Sequence, residues 1–270
     1  TEIEGPHGLG ISPDGAHWYL SLAHGQPGPH GSIVKYSTED DVWLGEVAVG
    51  MFPATLAVSP SIGLLYVANF NLHGLPEPSS ISVVDPESMT EVGQVDVGVM
   101  PHGARMNREG SKLYSVNMMD DVLVEVDAYR IEVSRQLGLT RHAQHQIDGT
   151  QQQHMAQHSS EAAHEEVDGM DMSEMIKPTW ATAPTPQGKI YVAGNGAGKI
   201  LEIDLEDWGI TREFATPAGP YNLDVSLDGM LLAVTYKSSR SVGFWDLNAG
   251  EEVGRVETLR PIPHGIVITP

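Results

Sequence analysis

The sequence predicts an all-β chain in which one four-stranded antiparallel unit repeats, five times complete and a sixth time as a single strand. Three observations predict it. The phrase that opens the chain, "PHGLGISPDG" (6–15), returns in altered form through the sequence and last as "IPHGIVITP" (262–270). Between returns lie four short bursts of β-branched, aromatic and aliphatic residues, fenced by Gly, Pro, Asp or Asn, which is strand chemistry. No stretch between them carries the 10–15-residue helical pattern that a parallel α/β sheet needs.

Each element of the unit can be read in turn. The first strand is the phrase itself, at 6–15, 52–60, 100–110, 178–188, 219–229 and 262–270. Aligned on Pro6, Pro53, Pro101, Thr179, Pro220 and Pro263, the returns are 47, 48, 78, 41 and 43 residues apart. The second strand reads "HWYLSL", "LLYVAN", "KLYSVN", "KIYVAG" and "LLAVTY"; the third, "SIVKYS", "SISVVD", "VLVEVD", "KILEID" and "VGFWD". The fourth reads "WLGEVAVG", "EVGQVDVG", "VSRQLG", "TREFAT" and "EVGRVET". Four strands every 40–48 residues is the period of a β-propeller blade. Residues 1–270 are therefore one β-propeller domain. Five residues precede Pro6, too few for the other strands of the sixth blade, so the repeat predicts an excerpt of a six- to eight-bladed ring. The strand-ending acids Asp85, Asp127, Asp204 and Asp246 recur with the unit and are expected to accept turn hydrogen bonds.

"LYVAN" (65–69), followed by "ISVVD" (81–85) and "GQVDVG" (93–98), resembles the YVTN-repeat family of β-propellers and its lactonase-like and surface-layer relatives. The resemblance spans the chain apart from about 140–175. It implies the propeller fold and leaves function open, because the scaffold hosts lactonases, dehydrogenase subunits, metal enzymes and binding proteins.

Composition narrows the chemistry. With 36 acidic and 15 basic residues the formal charge is −21, which disfavours nucleic acid and anionic lipid as partners. There is no cysteine, hence no disulfide, thiolate metal site or Cys nucleophile. No apolar run is long enough to span a bilayer. No nucleophile elbow, P-loop or dinucleotide fingerprint is present.

Histidine carries the remaining signal. In a propeller, equivalent residues at the start of the innermost strands converge on one mouth of the axial channel. Here they are His7, Ala54, His102, Trp180, Tyr221 and His264. His7, His102 and His264 are thus candidate metal ligands, and the lengthened loops bearing His24, His30 and His73 are expected at the same end. Imidazole binds copper and zinc, and without cysteine the choice leans to copper, with zinc or another divalent metal as the alternative.

A second candidate is the insertion in the third unit, "TRHAQHQIDGTQQQHMAQHSSEAAHEEVDGMDMSEM" (140–175), which holds five of the twelve histidines and four of the eleven methionines. Its composition predicts a mobile surface segment with a short helix near 150–166, on which His154 and His158 share a face. Met170, Met172 and Met175 follow, and thioethers select Cu(I). The tract is similar to the His/Met-rich segments of exported copper-handling proteins, which implies a periplasmic or extracellular setting. Two function classes follow: an extracytoplasmic copper metalloprotein (a copper-dependent oxidoreductase or a copper-handling protein), and a non-catalytic propeller that serves as a scaffold or subunit for a protein partner.

Overall fold

The computed structural model describes residues 5–23, 30–156, 175–217 and 219–269, of which 150–156 are described by backbone alone. Alternating apolar residues fold into five four-stranded antiparallel sheets, each in strict chain order. Blade 1 is β1 (Pro6–Ile11), β2 (His17–Leu22), β3 (Ser32–Ser37) and β4 (Trp43–Ala48); blade 2 is β5 (Pro53–Val58), β6 (Leu65–Asn69), β7 (Pro78–Asp85) and β8 (Thr90–Val99). Blade 3 is β9 (Pro101–Met106), β10 (Lys112–Asn117), β11 (Val122–Asp127) and β12 (Glu132–Gly138). Blade 4 is β13 (Pro178–Ala181), β14 (Lys189–Gly194), β15 (Lys199–Asp204) and β16 (Gly209–Ala215); blade 5 is β17 (Pro220–Val225), β18 (Leu231–Tyr236), β19 (Ser241–Asp246) and β20 (Glu251–Glu257). The first strand of each blade contacts the first strand of the next, from β1 through β5, β9 and β13 to β17. Fourth strands are the most exposed, as outer edges must be. The β-propeller expected from the repeat is the fold observed.

Apolar cores lie between consecutive blades. Tyr19 and Ile33 of blade 1 meet Leu56, Leu65, Val67 and Val84 of blade 2, and clusters of the same kind join blades 2 to 3, 3 to 4 and 4 to 5. The blade 2 residues line one face, because Leu56 opposes Val67 and Leu65 opposes both Val58 and Val84 across the strands. In blade 1 the matching rows are Leu9–Leu20–Val34 and Ile11–Trp18–Tyr36–Trp43. That face has no preceding blade among the described residues: Leu9 is 62 % exposed, Ile11 58 % and Trp43 57 %. At the other end of the series, residues 261–269 run without strand pairing, tied to blade 5 where Ile268 N donates to Asp224 Oδ2 at 2.7 Å.

The strand-ending acids accept turn bonds. Asp127 Oδ1 takes the amides of Tyr129 and Arg130, Asp204 Oδ1 those of Glu206 and Asp207, and Asp246 Oδ1 those of Asn248 and Ala249. Asp85 Oδ1 takes Glu87 N.

The insertion differs from expectation in its first half. A helix, α1 (Arg141–Ala156), begins nine residues before the expected start and packs on β12. Thr140 Oγ1 caps it by accepting from Ala143 N at 3.1 Å, and Gln144 Oε1 accepts from Gly138 N at 2.9 Å. Ala143 and Ile147, four apart, are buried in the cluster between blades 2 and 3. Two apolar residues at helical spacing were enough to dock a segment whose overall composition reads as solvated. Residues 157–174 lie outside the described residues.

Close blade approach constrains single positions. A Cβ on Gly103 of β9 would lie 2.5 Å from Thr179 O and from the Trp180 ring of the next blade, whereas one on Gly254 would meet nothing nearer than 4.0 Å. We predict that Gly103→Ala costs about 1–3 kcal/mol through overpacking and lowers the melting temperature by several degrees. Gly254→Ala is expected to leave it unchanged. Equal melting of both variants would remove the close-approach argument.

Candidate functional site

The first strands of blades 2, 3 and 4 start with the same local device, which returns before Pro263. A residue with left-handed backbone precedes a proline in Phe52–Pro53 (φ 52°), Met100–Pro101 (φ 60°), Lys177–Pro178 (φ 47°) and Ile262–Pro263 (φ 62°). In blades 1 and 5 a glycine without that backbone, Gly5 or Gly219, stands before Pro6 and Pro220. Positive φ at a β-branched residue such as Ile262 is a true outlier. Its presence marks Pro263–His264 as the sixth copy of the opening phrase although no strand follows. It also shifts the fourth copy by one residue. Pro178 pairs with Gly194 as Pro101 pairs with Asn117 and Pro220 with Tyr236, so the mouth residue of blade 4 is Thr179 and not Trp180. The sequence signal for this was the apolar-or-Lys residue before proline, which the alignment on "TW" overlooked.

The six mouth residues are therefore His7, Ala54, His102, Thr179, Tyr221 and His264. Main-chain pairing slips immediately after each of the five strand starts. The carbonyl freed by that slip must find another donor, and the preceding blade supplies it. His7 Nδ1 donates to Ala54 O and His102 Nδ1 to Thr179 O, both at 2.8 Å. Thr179 Oγ1 donates to Tyr221 O at 2.6 Å, and Thr55 Oγ1 donates to His102 O.

These bonds settle tautomers. A carbonyl only accepts, so Nδ1 of His7 and of His102 carries the proton and Nε2 the lone pair. The Tyr221 hydroxyl then donates to His102 Nε2, 3.0 Å away. Ring centroids lie 5.9 Å apart for His7 and His102, 5.3 Å for His7 and His264, and 4.5 Å for Tyr221 and His264. Phe52, Phe70 and Trp180 edge against this group.

Burial keeps the imidazoles neutral. It pushes His102, which is fully enclosed, down to about 3, with the neighbouring His7, His264 and Lys237 adding in the same direction. His264 is held at about 4 by burial and then by His7 and Lys237. His7 is lowered by burial and by Lys237, against the opposing effect of its bond to Ala54. Burial raises the Tyr221 hydroxyl. Above the cluster opens a cavity of about 450 Å³, whose walls include Phe52, Phe70, Leu72, Met118 and Lys237.

The other expected site residues are distributed as follows. His73 is exposed, its ring 5.4 Å from Phe52 at the edge of the mouth. His30 is exposed beside the start of β3, and His24 lies outside the described residues. His154 belongs to the helix by its backbone, while His158, Met170 and Met172 lie outside the described residues, as does the expected His154–His158 face. Met175 is buried, 6 % exposed, next to Ile176, whose amide donates to Asp121 Oδ2. Among the described residues no group of three or more His, Asp or Glu side chains is arranged to hold a metal ion.

No family model and no curated protein sequence matches the chain. Solved structures do. Hydrazine synthase of Kuenenia stuttgartiensis superposes with a TM-score of 0.60 at 16 % identity, over 96 % of this chain and 88 % of that one. U3-55K gives 0.68 at 12 % identity, and the WD40 repeats of RRP9 give 0.69 at 12 %. Both cover 95 % of this chain, which spans 65 % and 64 % of theirs. At such identities the likeness shows the β-propeller fold alone, and YVTN-family membership is not shown.

The buried imidazoles make stability depend on pH with a defined sign. A ring held at about 3 in the fold but near 6.5 when unfolded binds its proton first in the unfolded state, so its stabilising effect is complete above pH 6.5 and is lost as pH falls toward 3. Between pH 7 and 4.5, His102 alone accounts for about 2 kcal/mol of lost stability by this linkage. His102→Phe is expected to melt lower than wild type at pH 7, having left Thr179 O without its donor, yet to lose less on acidification. Parallel pH profiles for the two proteins would contradict this assignment.

Proposed function

We propose that the propeller is a metal-binding protein that holds copper at its axial mouth through His7, His102 and His264. The observation that supports it is the meeting of these three rings, from three separate copies of one repeat, in a neutral state. For His7 and His102 the main-chain bond at Nδ1 leaves the Nε2 lone pair for a ligand, the usual arrangement behind a metal-bound imidazole. The donor set fits copper, and zinc as the alternative, by ligand type; the three rings are not arranged around one metal position as they stand, so binding requires them to turn. Binding to His102 must displace the Tyr221 hydroxyl from Nε2. The residues 157–174, with His158, Met170 and Met172, have the composition to capture copper and pass it to the mouth. Their His/Met content is also the support for a periplasmic or extracellular setting.

Titration of purified protein with Cu(I) and Cu(II), followed by element analysis, checks this reading. One equivalent is expected to remain after gel filtration. His264→Gln is expected to weaken retention at least tenfold without unfolding the protein, since the described structure gives His264 ring contacts but no main-chain bond to lose. Deleting 157–174, which spares the docked helix, is expected to slow loading and leave the final stoichiometry unchanged. No retained copper in wild type ends the proposal.

A further inference from the structure

The mouth cavity contains a group that the imidazole cluster does not use. Lys237 follows the last residue of β18, and the same position after the second strand is Phe70 in blade 2, Met118 in blade 3 and Asn195 in blade 4. All four line the cavity, so the repeat delivers a second set of equivalent residues to the mouth, and Lys237 is its one charged member. Its Nζ stands 4.0 Å from the centre of the Tyr221 ring and makes no ion pair among the described residues. Among the described residues no acidic side chain lines the cavity. A half-buried ammonium without a counter-charge is costly to keep. In a chain of net charge −21 a nearby carboxylate would be the easy remedy.

We propose that the mouth binds a small monocarboxylate with an aromatic body, its carboxylate paired with Lys237 and hydrogen-bonded by Ser238, its ring set against Phe52 and Phe70. The walls divide accordingly. Lys237 and Ser238 supply the cationic and hydroxyl donors, while Phe52, Phe70, Leu72 and Met118 supply apolar surface. A volume of about 450 Å³ holds a ligand of this size, and its lining joins apolar side chains to convergent polar groups, the two kinds of contact an amphipathic ligand needs. No carboxylate stands in the wall among the described residues, so none of these side chains repels the anion. The neutral imidazoles, rather than charged ones, leave Lys237 as the charge that selects for it.

Neither Lys237 nor Ser238 belongs to the proposed copper ligands, so the test uses metal-free protein and is separable from the copper titration. Benzoate, benzamide and acetate are titrated in turn by calorimetry at low ionic strength. Benzoate is expected to bind, benzamide (same shape, no charge) at least tenfold more weakly, and acetate (same charge, no ring) at least tenfold more weakly. Lys237→Met is expected to remove benzoate binding while keeping the wild-type circular dichroism, and Lys237→Arg to retain it within a few-fold. No benzoate binding, benzamide or acetate binding as tight as benzoate, or undiminished binding by Lys237→Met would each overturn the proposal.

Discussion

Everything at the axis depends on one interaction: a side chain at the start of one blade donates a hydrogen bond to a main-chain carbonyl at the start of the next. The need for it is geometric. Each first strand leaves its proline in a register that does not continue, and the carbonyl at the break loses its ladder partner. A buried carbonyl without a donor costs about 1–3 kcal/mol. The preceding blade is the nearest source of a donor, so the chain meets this cost with His7, Thr55, His102 and Thr179 in succession. The result is a run of polar links along the axis that fixes how far each sheet can rotate against its neighbour. Apolar packing between blades is non-directional and would tolerate sliding; these bonds do not.

The same logic explains what the sequence showed and what it hid. Strand existence, strand order and blade boundaries were legible because an alternating pattern with turn residues at fixed places repeats five times, and repetition suppresses local ambiguity. The convergence of positions 7, 102 and 264 followed from the same period. The fourth mouth residue was misplaced by one because "PTW" offers two alignments, which the backbone at Lys177 and the pairing of Pro178 with Gly194 separate. A helix was expected in the insertion, but its start at Arg141 and its docking were not, because average composition hides Ala143 and Ile147, whose spacing matters more than their number. The burial of Met175 was not legible either, because the polar composition of the tract before it hides where the chain re-enters the blades. Lys237 carried no signal at all: a lone lysine after a strand is ordinary until the described residues around it are seen to lack acids.

Charge and burial also separate the mouth from the rest of the molecule. The chain as a whole is acidic, and two buried carboxylates of the blades are matched by arginine, Glu125 by Arg135 and Glu202 by Arg212. Each of those guanidinium groups also lies over an aromatic ring, Trp208 for Arg135 and Phe214 for Arg212. Other buried charges are met without an ion pair: Asp121 takes the amides of Ile176 and Lys177, and Arg105 lies over the Trp180 ring. At the mouth a single ammonium faces three neutral imidazoles and a tyrosine, with no acidic side chain in the wall among the described residues. An ammonium so placed is the feature that distinguishes this cavity from packing.

Whether the histidines are there for the inter-blade bond or for something beyond it can be argued from the repeat itself. Thr179 makes the bond with a hydroxyl, and where the mouth residue is Ala54 the adjacent Thr55 makes it instead. The structural task therefore accepts threonine at either of two positions and does not call for a ring. Histidine at 7 and 102 adds what threonine lacks, an Nε2 lone pair held in a fixed direction by the very bond that joins the blades. His264 makes no such bond in the described structure, yet it stands with the others. An imidazole placed at the mouth without the structural duty that would account for it shifts the balance from packing toward ligand binding.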